Sequence, residues 1–320
     1  MRRTWIPQRY GPDRLRRARV RLVTAVPHYL LLGAGFSRNW GGWVASEAFE
    51  YLLGSPEILA DPQLRDLLWR HQLGGGFEDA LAEVQTAGRT SWARQPWTHA
   101  QLVSFQGAVG RMFDDMNRAF LTRTDLEFRR DLGPARMVRT FLSRFDAIFT
   151  LNQDVLLEQF YLSDKVVQSS VSPCVPGMLR VPHSEPIYSE SLSRAIWHPR
   201  PENELKLQGG QPYIKLHGSA NWFSADGQRL LIIGGAKQQE IGRNPILSWY
   251  AKEFARCLQE SNSRLLVIGY GFRDNHVNDA IGDGVTRGLR MFVIDPQGAE
   301  LAFKLNQTRQ RAAIAVTTPL

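Results

Sequence analysis

The 320-residue chain has only two cysteines, Cys174 and Cys257. That number supplies neither a disulfide framework nor a four-thiolate zinc site, and a reducing cytoplasm is the expected home. Long apolar runs are also missing. Stretches such as Tyr29-Leu30-Leu31-Leu32 and Leu265-Leu266-Val267-Ile268 have strand length, against the roughly 20 residues a membrane helix needs. The N-terminus lacks the apolar core of a secretory signal, so no membrane partner is expected. No internal repeat and no low-complexity tract occurs.

Acids are scarce in one place. Residues 1–21 carry eight arginines against the single acid Asp13; the whole chain has a formal charge of +8, so the remaining residues hold +1. The basicity belongs to an N-terminal arm on a nearly neutral body. Such an arm suits an acidic partner surface, a neighbouring subunit or nucleic acid, resembles an organelle transit peptide, and is equally a solvated tail. A nucleic-acid role through the arm predicts steeply salt-dependent affinity.

What is present is an alternation of strands and helices. The run Tyr29–Leu32 ends at Gly33-Ala34-Gly35-Phe36-Ser37, a strand turning into a helix whose start suits a phosphate. Position 38 is arginine where the dinucleotide fingerprint has its third glycine, and a plain strand-to-turn connection reads the same way. A helical block follows over about 44–131. Within it Asp61-Pro62 is a cap and first-turn proline, and Leu102, Phe105, Val109, Met112, Phe113, Met116 and Phe120 mark one long amphipathic helix. Its aromatic and methionine stripe reads as packed core. A helix from Pro134 leads to the strand 147–151, followed by Asn152-Gln153-Asp154 and a helix over 155–163. Residues 164–212 show no period and read as a long irregular, lid-like excursion.

Tyr213–Leu216 is a strand ending at His217-Gly218-Ser219, residues 230–233 are another, and a helix over 245–258 precedes Leu265–Ile268 and Gly269-Tyr270-Gly271-Phe272. Asp274 stands where it would cap the next helix. The strand 291–294 ends at Asp295, and a last helix and strand close the chain. This pattern predicts an α/β fold, a doubly wound and mostly parallel Rossmann-like sheet with an inserted helical module, in one domain over 22–320. Ligands bind such sheets beyond the carboxyl ends of the strands. Gly33, Asn152, His217, Gly269 and Asp295 all follow apolar strands directly, which places them at one common site. Singly, Asn152 and Asp154 are equally turn formers, and His217 equally a core histidine.

The ordered motifs GAGFS at 33–37, TLNQD at 150–154, LHGS at 216–219 and GYGF at 269–272 resemble the sirtuin superfamily, and most of all its bacterial sirtuin-like branch found in phage-defence systems. The likeness covers about 22–43, 145–163 and 213–297. It implies NAD+ as substrate, with Gly33, Ala34, Gly35, Phe36 and Ser37 at the pyrophosphate. Asn152 would hold the attacking water and ribose hydroxyls, Asp154 the nicotinamide carboxamide, and His217 would be the general base. Gly269, Tyr270 and Gly271 would line the adenosine side and Asp295 its ribose. The chain departs from sirtuin deacylases in three ways: positions 219–264 contain only Cys257 in place of four zinc cysteines, Arg38-Asn39-Trp40-Gly41-Gly42-Trp43 replaces the usual loop, and Gly271 stands near the place of a small hydroxyl residue. The expectation is therefore an NAD+ glycohydrolase without zinc or another metal, the cytoplasmic effector of abortive infection. Its gate would be a homo-oligomer or a separate sensor subunit, an ATPase or nucleotide-handling protein of the same defence operon, with nucleic acid reached only indirectly. A non-catalytic NAD or ADP-ribose sensor, and an NAD-dependent deacylase or ADP-ribosyltransferase, are the alternatives.

Overall fold

Strand β1 (His28–Leu32) is the first described element of a computed structural model, which describes residues 26–87, 97–123, 126–128, 137–162, 172–181, 196–207, 209–234, 237–298, 300 and 314–317. The arginine arm at 1–21 lies outside the described residues. Helix α1 (Ala34–Arg38) follows at once, then α2 (Ala45–Leu53), α3 (Pro56–Leu59), α4 (Pro62–Arg70), α5 (Gly76–Ala87) and α6 (His99–Phe120). These last five pack on one another as the expected helical module. Asp61 caps α4 by accepting from the Gln63 and Leu64 amides at 2.9 and 3.2 Å, with Pro62 in the first turn. Thr98 and Gln101 form a capping box on α6. Phe105, Val109, Met112, Phe113, Met116 and Phe120 are buried along α6, and each contributes roughly 1.5–3 kcal/mol of burial.

The chain returns through α7 (Val138–Leu142) to β2 (Ala147–Thr150), then α8 (Leu156–Phe160). The stretch without a period is not wholly irregular. It contains β3 (Pro173–Cys174), β4 (Met178–Val181) and β5 (Ile196–Pro199), and it ends inside β6 (Gln211–Lys215). Strands this short, two to four residues before β6 begins, leave too little sequence for alternation to show. After β6 come β7 (Gly218–Phe223), β8 (Arg229–Leu231), α9 (Lys237–Arg243), α10 (Pro245–Leu258), β9 (Arg264–Ile268), α11 (Asn275–Thr286), β10 (Arg290–Ile294) and β11 (Ile314–Thr317).

Seven strands make the main sheet in the order β11-β10-β9-β1-β2-β6-β3, with every pairing parallel. This is the Rossmann-like α/β architecture expected, with helices flanking the sheet. Buried residues fill β1 and β2 almost continuously, as a sheet covered on both faces requires. The first half of the chain builds from β1 toward β6; the second half restarts on the other side of β1 with β9. That reversal makes the β1–β9 crevice the switch point of the fold.

A second sheet, β4-β5-β7-β8, was not foreseen. It is mixed: β4–β5 and β7–β8 are antiparallel and β5–β7 parallel. The chain crosses from the main sheet into it at His217-Gly218. Gly218 has φ +77°, and a Cβ there would lie 1.9 Å from the Leu230 carbonyl oxygen. Only glycine fits a turn that combines left-handed backbone with such an approach.

Candidate functional site

The loops after β1 and β9 are stitched together at the switch point. Gly33 N–H donates to the Ile268 carbonyl at 2.9 Å and Gly35 N–H to the Gly269 carbonyl at 3.0 Å. Gly269 has φ +64°, and a Cβ on it would meet Phe36 N at 2.5 Å and Gly35 C at 2.6 Å. The amides of Gly33, Gly35 and Phe36 are thus taken by protein carbonyls. What the glycines secure here is the contact of two loops. Phe36 is buried, its ring tilted against Trp40 at 5.0 Å, so it serves the core rather than the mouth of the crevice. Ala34 begins α1.

Ser37 and Asn152 meet across β1 and β2. Asn152 Nδ2 donates to Ser37 Oγ at 2.9 Å, and both residues are buried. The Asn152 amide donates to Thr150 Oγ1 at 3.0 Å, which holds the residue at the strand exit. Its other side-chain polar atom, Oδ1, is buried without a hydrogen-bond partner among the described residues. An unpaired buried acceptor costs about 1–3 kcal/mol until something fills it. Nothing in the sequence distinguishes this oxygen from that of any strand-end asparagine.

His217 lies two residues past the end of β6, the strand beside β2. The register pairs Thr150 with Lys215, and Leu216 N–H donates to the Thr150 carbonyl at 2.9 Å, which carries Asn152 and His217 out of the sheet side by side. Gln153 locks the two exits: its Nε2 donates to the His217 carbonyl at 3.2 Å and to that of Ile232 at 2.6 Å. The His217 ring is 3% exposed. Burial first, with help from the Lys237 and His276 charges and against Asp274, pulls its pKa down to about 3. The ring is neutral at physiological pH and has a lone pair to offer.

The loop after β9 reaches this histidine. His276, in the first turn of α11, brings its Nε2 to 3.0 Å from His217 Nε2. Burial lowers the His276 pKa as well, Asp274 opposing. Asp274 does not cap α11 with its side chain, as the sequence suggested. Its carboxylate instead accepts from Lys237 Nζ at 2.7 Å, and Lys237 reaches Glu78 of α5 at 2.6 Å. Burial raises the Asp274 carboxyl, but the His217 and Lys237 charges outweigh it and hold the pKa below the usual value. One ligand atom each from His217, Asp274 and His276 lie within 4.8 Å of one another, a spacing that can hold a metal ion. The reading of no metal in the sequence considered cysteines alone and missed this trio.

The other expected residues divide. Asp154 is buried beside Asn152, and its Oδ1 accepts from the Leu156 amide at 3.0 Å, a local turn contact at the start of α8. Tyr270 is 4% exposed and its hydroxyl is bound to Asp274 of its own loop and to Asn278 of α11. Gly271 faces open space. Asp295 stands half-buried at the end of β10, two strands from β1, where it accepts from the Gln297 amide at 2.8 Å.

Sequence reasoning also missed a buried ion pair under the site. Lys215 and Glu158 are 0% and 1% exposed, with Nζ 2.5 Å from Oε1. Lys215 further donates to Ser219 Oγ at 2.7 Å and to the Asp154 carbonyl, and Tyr213 donates to Glu158 at 3.2 Å. A lysine inside the apolar strand Tyr213-Ile214-Lys215-Leu216 was the available signal.

Residues 146–312, just over half the chain, match the SIR2-like domain. The stretch begins one residue before β2 and takes in Asn152, His217, Gly269 and His276; β1 and Gly33–Ser37 precede it. No curated protein matches the chain. None of the described helices is long and apolar enough to cross a membrane. The chain belongs to the SIR2-like domain family.

Proposed function

We propose that the chain is an NAD+ glycohydrolase that splits NAD+ into nicotinamide and ADP-ribose. A SIR2-like domain points to NAD-related activity in general. The finer reading is carried by the buried, unpartnered Oδ1 of Asn152 at a strand exit next to a neutral, buried His217. Cleavage breaks the bond between the anomeric carbon of the ribose and the nicotinamide nitrogen, and its electron pair leaves with nicotinamide. Positive charge then builds on the ribose, and water adds there while losing a proton. An amide oxygen with no other partner accepts from that water or from a ribose hydroxyl. A neutral imidazole takes the proton, a role worth about 10²–10⁴-fold. Ser37, holding Asn152 Nδ2, fixes which way the amide points. Asp154 and the Gly33–Ser37 and Gly269–Gly271 loops complete the substrate contacts in this reading.

The activity would serve a bacterial anti-phage defence system, switched on by self-assembly or by a separate sensor subunit, since an ungated NAD hydrolase drains its own host. The experiment is nicotinamide release from NAD+ over a concentration series of the chain, alone and with proteins encoded beside it. Asn152→Ala and His217→Ala should each lower turnover by at least about 10²-fold with the fold intact by circular dichroism. Parent rates in both variants would refute the assignment. Turnover only with an acylated peptide or an acceptor protein would identify a transferase instead. Full, concentration-independent turnover by the isolated monomer would refute the gate.

A further inference from the structure

The loop between β9 and α11 is built to hold one imidazole against another. Tyr270 Oη accepts from the Asp274 amide at 3.1 Å and donates to Asn278 Oδ1 at 3.0 Å, and Asn278 Nδ2 donates to the Phe272 carbonyl at 2.9 Å. Phe272 itself has φ +55°, a left-handed conformation that a phenylalanine adopts only when its surroundings enforce it. Lys237, paired with both Glu78 and Asp274, pins the last residue before the helix. On the other side the His217 carbonyl is held by Gln153 Nε2 and the Ile232 amide. Both rings are therefore fixed from their backbones outward, and they meet through Nε2 at 3.0 Å.

Two neutral imidazoles that meet through Nε2 share one proton between them. With that proton on His217, His276 Nε2 is the acceptor and His217 Nδ1 carries a lone pair. Nδ1 makes no hydrogen bond to a described residue, so the lone pair is available. His276 is the more exposed of the two rings. The charged groups acting on the pair are few: Asp274 favours a proton on either ring, Lys237 opposes it, and Asp279 favours it on His276.

We infer that His276 is a positioning residue that orients His217 and receives its Nε2 proton, so that the two histidines work as one relay. The inference rests on the NAD-cleavage reading. As water bonds to the anomeric carbon, its proton goes to His217 Nδ1 and the bond to nicotinamide breaks with its electron pair. His217 passes the Nε2 proton to His276, where Asp274 stabilises the charge; once the products leave, that proton returns to His217 Nε2 as Nδ1 releases the proton taken from water to solvent, which restores the starting tautomer. One proton leaves for each NAD+ hydrolysed, and no oxidant or further reactant is needed.

The test compares His276→Ala and His276→Gln with the parent, after melting curves establish that both are folded. Glutamine keeps a hydrogen-bonding side chain beside His217 but cannot carry the proton. Both variants should lose about 10²-fold in kcat, the low end of general acid–base effects, with KM for NAD+ unchanged. Added imidazole should restore part of the alanine variant's rate. Parent kcat in the glutamine variant, a loss confined to KM, or loss of parent activity on adding a chelator would each overturn the inference, the last by making His217, Asp274 and His276 a metal site. One readout is independent of turnover: nitrogen resonances of isotope-labelled imidazoles. They should show both rings neutral at neutral pH, with the His217 proton on Nε2. A proton on His217 Nδ1 instead would overturn the relay even if the parent cleaves no NAD+.

Discussion

Removing the ammonium of Lys215 tests the ground under the site. Lys215 and Glu158 are both sealed from solvent, and their contact is backed by Ser219, Tyr213 and the Asp154 carbonyl. Lys215→Met keeps most of the volume and leaves Glu158 without a cation, its side-chain partners reduced to the hydroxyls of Tyr213 at 3.2 Å and Ser219 at 3.4 Å. Breaking a buried pair on one side costs about 3–5 kcal/mol, because the surviving charge has neither water nor partner. Burial already pushes the Glu158 carboxyl up, and Lys215 is the main force against it. Without Lys215 the folded pKa rises further. A carboxyl with a raised folded pKa binds its proton more tightly when folded, so stability falls as pH rises from the unfolded value of about 4.3 toward the folded one. The deficit of Lys215→Met against the parent should therefore shrink in acid and be largest near neutrality. Urea unfolding across about pH 5 to pH 8 measures it. The double variant Lys215→Met/Glu158→Leu, which removes both charges, should recover most of the loss. If Lys215→Met unfolds within about 0.5 kcal/mol of the parent, the surface-substitution range, the buried pair is not what holds the β6 exit.

Two glycines in one loop should behave oppositely. Gly269→Ala forces a side chain into left-handed backbone and against Phe36 N at 2.5 Å, whereas a Cβ on Gly271 meets nothing within 4 Å. The first should cost more than the roughly 1–2 kcal/mol of the backbone term alone and lower NAD cleavage; the second should melt like the parent, and equal melting temperatures would refute the stitched-loop account. The pH profile reports on His217: because its pKa is lowered from 6.5 to about 3, the neutral base persists far into acid, and turnover should show no acidic limb near 6.5. The unfolded chain binds that proton near 6.5 and the folded chain only near about 3, so the His217 contribution makes stability rise with pH through this window, complete above 6.5. An activity limb centred on 6.5 would mean the base is not buried as described.

The parallel sheet was legible because each of its main strands is an apolar run that stops at a polar or glycine motif. Burial on both faces removes alternation and leaves an unbroken signal, as in Leu30-Leu31-Leu32 and Ala147-Ile148-Phe149. Helices α4, α6 and α10 were legible from caps and periodicity, and α10 spans Pro245–Leu258 as read. The second sheet was not, apart from the strand read at 230–233, which overlaps β8: β4 and β5 are only four residues each, and β5 joins β7 through the single pair Trp197 with Trp222. Gly218, needed for the turn between the sheets, looked like part of a ligand motif. One glycine can be both, and sequence does not separate the two uses.

The site shows the same limit at closer range. Strand-end position predicted that Asn152 and His217 would converge, and they leave adjacent strands in register. It did not predict His276, which lies on the far side of β1 in the sheet order and at the start of α11. What brings it over is a chain of pairings between elements distant in sequence: Glu78 in the helical module to Lys237 on α9, Lys237 to Asp274, and Asp274 to the turn that carries His276. Each of those charges reads alone as solvated surface, since a lysine or aspartate at a helix end is ordinarily exposed. Lys237 and Asp274 are instead 16% and 13% exposed. At that burial an ion pair is maintained only with its partners in place. Any displacement of α5 that removes Glu78 from Lys237 therefore changes the field on both histidines, and the inserted helical module is mechanically part of the site it flanks.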